Sequence, residues 1–172
     1  AWVNQVPELK FKYALGCLIL EDCKVINISM GTRASFEELE LFAEDYRTYL
    51  EKLIGKGYDF VIAIAAGNSA VDAKMDSILA NVTTGPAKDR IIVVGAVGNN
   101  GVTVENGKRQ FQGYTYPVFS NYGERVNVCA PGVRIHSTMP NGGYGTIALD
   151  ACGFRDDYYW SGTSMAAPHV SG

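Results

Sequence analysis

The sequence is poor in the features that would bring a nucleic acid, a bilayer or a metal to it. Fifteen Lys and Arg stand against eighteen Asp and Glu, a net charge of −3, and no basic run concentrates the positive charge, so a phosphate backbone meets no attracting field. The longest apolar stretches, Val61–Ala66 and Ile91–Val94 among them, fall far short of the ~20 residues that a spanning helix requires. Neither nucleic acid nor membrane is expected as a partner. Cysteine is scarce: Cys17, Cys23, Cys129 and Cys152 form no Cys-x-x-Cys pair, and no His stands at zinc-ligand spacing, which leaves zinc and thioredoxin-type chemistry without support. Two disulfides are possible in number, but neither their pairing nor the redox compartment follows from the spacing. Gly95-Ala96-Val97-Gly98-Asn99-Asn100-Gly101 lacks the Gly-x-Gly-x-x-Gly spacing and no phosphate loop occurs, so a nucleotide-binding doubly wound domain is disfavoured.

What remains is a globular composition. With 47% hydrophobic and 19% charged residues over 172 positions, the chain is long enough for one domain with a real core. Ala1 opens it with neither an initiator Met nor an apolar leader, which reads as a processing point or a cut boundary. Phe11 to Asp22 has helical apolar spacing at Phe11, Ala14, Leu15, Leu18 and Ile19, and Val25-Ile26-Asn27-Ile28 follows as a short strand. Ser35-Phe36-Glu37-Glu38 is a capping box before a second helix that Gly55 and Gly57 close. The runs from Asp59 to Ala66 and from Ile91 to Val97 do not alternate, so they read as strands buried on both faces. With helices between them, these strands predict a three-layer α/β domain with a largely parallel sheet. Asn99–Gly113 reads as a surface hairpin or loop, Val126–Cys129 as a strand halted by Ala130-Pro131-Gly132, and Asn141–Gly145 as a mobile loop. No repeat or linker divides residues 1–172.

The chemistry is concentrated at the C-terminal end, in Ser161-Gly162-Thr163-Ser164-Met165-Ala166-Ala167-Pro168-His169-Val170-Ser171-Gly172. Pro168 lacks an N–H, so a helix holding it must start nearby, at Thr163 or Ser164. Ser164 then sits among free N–H groups at the positive end of a helix, placed either for nucleophilic attack or as a plain N-cap. The whole string resembles the nucleophile segment of the subtilisin-like serine proteases. Val25-Ile26-Asn27-Ile28-Ser29-Met30-Gly31 resembles the family's substrate-binding strand, and Ala65-Ala66-Gly67-Asn68-Ser69 its oxyanion loop. Ile91–Val97, and Phe119-Ser120-Asn121-Tyr122-Gly123 with Cys129-Ala130-Pro131-Gly132-Val133, follow in the family's order.

The resemblance implies a subtilisin-like fold and hydrolysis of peptide bonds through an acyl-enzyme on Ser164, with the Asn68 side-chain amide and the Ser164 N–H holding the oxyanion. An Asn after Gly67 would otherwise be read as the first residue of an Asx-turn. Ser29, Met30 and Gly31 would pair with an extended polypeptide substrate, and Ala65, Ala66 and Gly67 would form the wall of its pocket. Met30 is equally readable as core filler. By the same resemblance Gly85 and Pro86 line the pocket floor, where the family often has a cis X-Pro bond. Secretion or a cell-surface location follows from family habit.

A serine protease also needs a base and a carboxylate to orient it, in this family in the order Asp, His, Ser. Neither of the family's two preceding segments occurs in these residues. His169 stands five residues past Ser164 and, at ~100° per residue, points about 140° away from it, so it cannot serve as its base; the resemblance implies a structural histidine packed beneath the sheet. His136 is expected on a loop or surface. The expectation is therefore a partial catalytic domain of a larger protease, inactive alone, whose partner is the missing N-terminal part of the same domain. The rival reading is a non-catalytic peptide-binding or scaffolding module. No cofactor is expected. Calcium, held in many relatives near the loop before Ala130, is doubtful at Glu124-Arg125-Val126-Asn127. Thr146–Tyr159 reads as an insertion beside the cleft, where Cys152, Phe154, Arg155, Asp156 and Asp157 either shape selectivity or pack on the surface.

Overall fold

The computed structural model describes residues 8–31, 34–137, 148–149, 155–156 and 160–172. Asn141–Gly145, Cys152, Phe154 and Asp157 lie outside the described residues. Helix α1 (Glu8–Leu20) leads into strand β1 (Val25–Ile28), and helix α2 (Phe36–Gly55) into β2 (Val61–Ala65). Two single turns of 3₁₀ helix, Ala73–Met75 and Leu79–Asn81, and the short helix α3 (Gly85–Lys88) connect β2 to β3 (Ile91–Asn99). Strands β4 (Val102–Glu105), β5 (Lys108–Phe111), β6 (Tyr114–Thr115), β7 (Val128–Pro131), β8 (Ala148–Leu149) and β9 (Arg155–Asp156) precede the last helix, α4 (Thr163–Ser171).

β1, β2, β3 and β7 are parallel neighbours in that order, with Ile28 opposite Ile64, Ile64 opposite Val93, and Val94 opposite Val128. β6 adds antiparallel to the last residues of β3, Gly98 and Asn99. The layers follow from side-chain alternation along the strands. Ile26, Ile28, Ile62, Ile64, Ile91 and Val93 point to one face and bury against Leu15 and Ile19 of α1 and Leu39, Tyr46 and Leu50 of α2. Ala63, Ala65, Val94, Ala96 and Ala130 point to the other, where α4 packs through Ala166 and Ala167. The alanine face is what lets the last helix lie close. A Cβ added at Gly132 would stand 2.7 Å from Ala96 Cβ and 2.8 Å from the Gly162 carbonyl oxygen, and real Cβ atoms do not approach so near.

The capping box of α2 forms as the sequence predicts. Ser35 Oγ accepts from the Glu38 N–H at 3.3 Å, and Glu38 Oε2 accepts from the Ser35 N–H at 2.8 Å. Ser35→Ala is expected to lower stability by about 1 kcal/mol, read as a drop of a few degrees in Tm by thermal melting. Helix α1 stops two residues short of the predicted Asp22 because that residue turns left-handed, with φ 63°. The Cys23 N–H then reaches back to the Leu18 carbonyl at 3.0 Å and closes the helix. The hairpin expected within Asn99–Gly113 is β4 and β5, joined by Asn106 and Gly107, both with positive φ, as a tight two-residue turn requires. The strand predicted at Val126–Cys129 begins later and runs on through Pro131; among the described residues it pairs on one side, with β3, so the missing N–H of Pro131 is tolerated.

Candidate active site

Ser164 is the second residue of α4, half-buried, at the end of the helix that meets the C-terminal ends of β1 and β2. Pro168 lies inside this helix, so the Ser164 carbonyl has no N–H four residues on to accept from. Ser29 fills that place. Its Oγ donates to the Ser164 carbonyl oxygen at 2.8 Å and accepts from Asn27 Nδ2 at 3.0 Å. In return, Ser164 Oγ donates to the Ser29 carbonyl oxygen at 3.3 Å. The nucleophile candidate and the first residue beyond β1 therefore hold each other in both directions.

Asn68 follows β2 and stands beside Thr163. The Thr163 N–H and the Thr163 Oγ1 both meet Asn68 Oδ1, at 2.8 and 3.0 Å, and Thr163 Oγ1 accepts from the Gly67 N–H at 3.1 Å. A backbone N–H can only donate, so it fixes which end of the amide faces inward, and Nδ2 is turned the other way. Among the described hydrogen bonds none uses Asn68 Nδ2 or the Ser164 N–H. Two donors are thus left on neighbouring elements at a helix N-terminus, an arrangement suited to a developing negative charge.

The other predicted residues fall into two groups. Ala65 and Ala66 are buried, and Gly67 adopts φ +106° with its backbone close to Asn121 and Asp76. Ser29, Met30 and Gly31 continue past the ladder that ends at Ile28, and Met30 is 44% exposed, which removes the core-filler reading of its side chain. Gly85 and Pro86 stand on a different element from Ser164. They begin α3, which packs on α2 with Ala87 in the isoleucine-face core, while α4 covers the alanine face. The Gly85–Pro86 bond is trans, contrary to the family-based expectation of cis. Proline at the first turn of a helix has no N–H to lose, so the trans form fits α3 without strain.

His169 also departs from expectation. It is exposed instead of packed beneath the sheet, and its Nδ1 lies 2.8 Å from the Met165 carbonyl oxygen on its own helix, so the ring folds back along α4. Ser164 Oγ donates to a backbone carbonyl and not to either histidine. His136, after the Ile135–Trp160 bridge, is exposed. Cys17, Cys23 and Cys129 are free thiols. Asn127 Oδ1 accepts from the Val93 N–H at 2.8 Å, and among the described residues no three His, Cys, Asp or Glu converge.

The sequence model of the subtilase family matches residues 11–172. The chain belongs to the subtilase family. Subtilisin amylosacchariticus of Bacillus subtilis subsp. amylosacchariticus is 32% identical over 155 residues, which cover 90% of this chain and 30% of that protein. An extracellular basic protease of Dichelobacter nodosus is 35% identical over 151 residues, 87% of this chain and 19% of that one. Among solved structures, a cold-adapted subtilisin-like serine proteinase matches with a TM-score of 0.61 at 25% identity, over 96% of this chain and 45% of its own. The subtilase chain thus spans less than half the length of each of these relatives. Two residues that contact the Asn68 loop carry no role in the sequence reading: Thr163, hidden inside the nucleophile string, and Asn121, hidden inside Phe119–Gly123. Both are fully buried polar side chains, a property that composition does not display.

Proposed function

We propose that this chain is the nucleophile-bearing part of a subtilisin-like serine endopeptidase, acting outside the cell or at its surface on extended polypeptides. The observation that carries the reading is the pairing of Thr163 with Asn68 Oδ1, which turns the amide donor outward beside the N-terminus of α4. A peptide laid along Ser29-Met30-Gly31 as an added strand brings its scissile carbonyl to Ser164. Ser164 Oγ attacks the carbonyl carbon and gives up its proton to a base. Asn68 Nδ2 and the Ser164 N–H hold the oxyanion that forms, with a charge the ground state lacks, so they lower the barrier more than they tighten binding. Collapse expels the amine, which takes the proton, and water then releases the acyl group from Ser164 by the same steps in reverse. Base and orienting carboxylate come from a part of the catalytic domain outside these residues, since Ser164 Oγ donates to the Ser29 carbonyl oxygen and the His169 ring turns back to the Met165 carbonyl.

The 172-residue chain alone is therefore expected to show no peptide hydrolysis above buffer, because an unassisted serine hydroxyl is a weak nucleophile at neutral pH. A peptidase assay on the purified chain, with Ser164→Ala as control, makes the check. Turnover that disappears in the control would mean that a base is present within the chain and would overturn this assignment.

A further inference from the structure

We propose that Asn121 is a positioning residue for the oxyanion hole, a buried clamp that fixes the loop carrying Asn68. The inference rests on the reading of Asn68 given above and adds to it the part that holds Asn68 from behind.

Asn121 is fully buried, and its amide uses its whole hydrogen-bonding capacity on one loop and that loop's support. Its Oδ1 accepts from the Ser69 N–H at 3.0 Å and from the Val71 N–H at 3.1 Å. Its Nδ2 donates to the Ala66 carbonyl oxygen at 2.9 Å and to Asp76 Oδ2 at 2.8 Å. Asp76 Oδ2 also accepts from Ser69 Oγ at 2.9 Å, and the Asn121 backbone N–H donates to the Gly67 carbonyl at 3.0 Å. Residues 66, 67, 69 and 71 are thus all gripped from 121, and residue 68 lies between them.

The amide orientation follows from chemistry: two backbone N–H groups face one end and a carbonyl faces the other. Gly67 records how closely the loop is drawn in, since a Cβ there would stand 2.2 Å from Asn121 Nδ2. Among the described hydrogen bonds, those of the Asn68 side chain run to Thr163. Thr163 sets the rotation of the amide, and Asn121 sets where the loop stands. An oxyanion donor works only when it waits at the point where charge develops, and a shift of about 1 Å can cost on the order of a hundredfold in rate. Because Asn121 acts through Asn68, its loss cannot exceed the loss of Asn68 itself.

The test is a double-mutant cycle in the full-length protease, with kcat and KM measured on one extended peptide and folding checked by thermal melting. Asn121→Asp keeps size and Oδ1 but turns a carboxylate oxygen toward Asp76 and the Ala66 carbonyl. It is expected to lower kcat at least about tenfold with KM changed less than about twofold. In an Asn68→Ala background the same substitution is expected to change kcat by less than about twofold, because the group it acts through is gone. Adding Asp76→Asn to Asn121→Asp, which restores a donor opposite the new acceptor, is expected to recover part of kcat. A full additional loss in the Asn68→Ala background would overturn the positioning role, since Asn121 would then act elsewhere. An Asn68→Ala variant with unchanged kcat would instead overturn the oxyanion reading, and this inference with it. If Asn121→Asp does not fold, Asp76→Asn alone goes through the same cycle. It is expected to lower kcat only when Asn68 is present, and an equal loss in both backgrounds would refute the clamp.

Discussion

Ser164→Ala in the full-length protease is expected to lower kcat by about a millionfold, the scale known for removing a subtilisin's nucleophile, while the domain folds as before. The structural half of this prediction follows from how little the hydroxyl holds. Ser164 Oγ makes one described hydrogen bond, 3.3 Å to the Ser29 carbonyl, and the residue is only half-buried. The bond that ties α4 to β1 runs from Ser29 Oγ to the Ser164 backbone carbonyl and survives the substitution. A long, partly solvated hydrogen bond contributes on the order of 1 kcal/mol or less, so Tm should move by no more than a few degrees. The residual rate should come from oxyanion stabilisation and substrate binding, which persist without the nucleophile. Progress curves on wild-type and variant enzyme give the ratio. A variant that keeps even a few per cent of wild-type turnover, with contaminating protease excluded by a covalent inhibitor, would mean that the acyl-enzyme forms on another residue.

The parts of this architecture that local sequence determines were legible in it. The capping box at Ser35 and Glu38 specifies where α2 starts, and the structure forms both of its bonds. The runs ending at Ala66 and Val97 announce strands buried on both faces, and the ladder joins them in parallel. Which face takes the large helices was not read from that run: only the structure shows Ile62 and Ile64 on the side of α1 and α2 and Ala63 and Ala65 on the side of α4.

Long-range polar contacts were not legible. Asn121 and Ser69 are 52 positions apart and Thr163 and Asn68 are 95 apart, and no periodicity links such pairs. The family string marked Thr163 and Asn121 as members of blocks without giving them work to do. Helical phase placed His169 away from Ser164, as observed, but phase says nothing of what lies outside the helix, and the expected burial of the ring was wrong. The cis bond expected at Gly85–Pro86 failed for a related reason. A Gly-Pro pair is compatible with a tight reversal or with the first turn of a helix, and here α2 supplies the surface on which a short helix packs.

Asn68→Ala in the full-length protease is expected to lower kcat by roughly a hundred- to a thousandfold with KM nearly unchanged, a magnitude known for removing one such donor from a subtilisin. The split between the two constants is the informative part. A ground-state carbonyl is a weak acceptor lying away from the donors, whereas the tetrahedral oxyanion is charged and moves toward them, so an amide aimed at the oxyanion contributes in the transition state and little before it. Asn68 suits that role because its own acceptor end is already engaged. Thr163 meets Oδ1 with two groups, which leaves Nδ2 as the only polar end facing outward. Truncation to alanine does remove a partner from the Thr163 N–H and hydroxyl, but Asn68 is exposed, so water can replace the lost acceptor and folding should be little affected. Asn68→Asp offers a second arm, because it keeps the acceptor for Thr163 and replaces the donor with a negative charge facing the oxyanion. Its kcat should fall at least as far as that of Asn68→Ala, and a loss expressed in KM alone for either variant would rule out the oxyanion role.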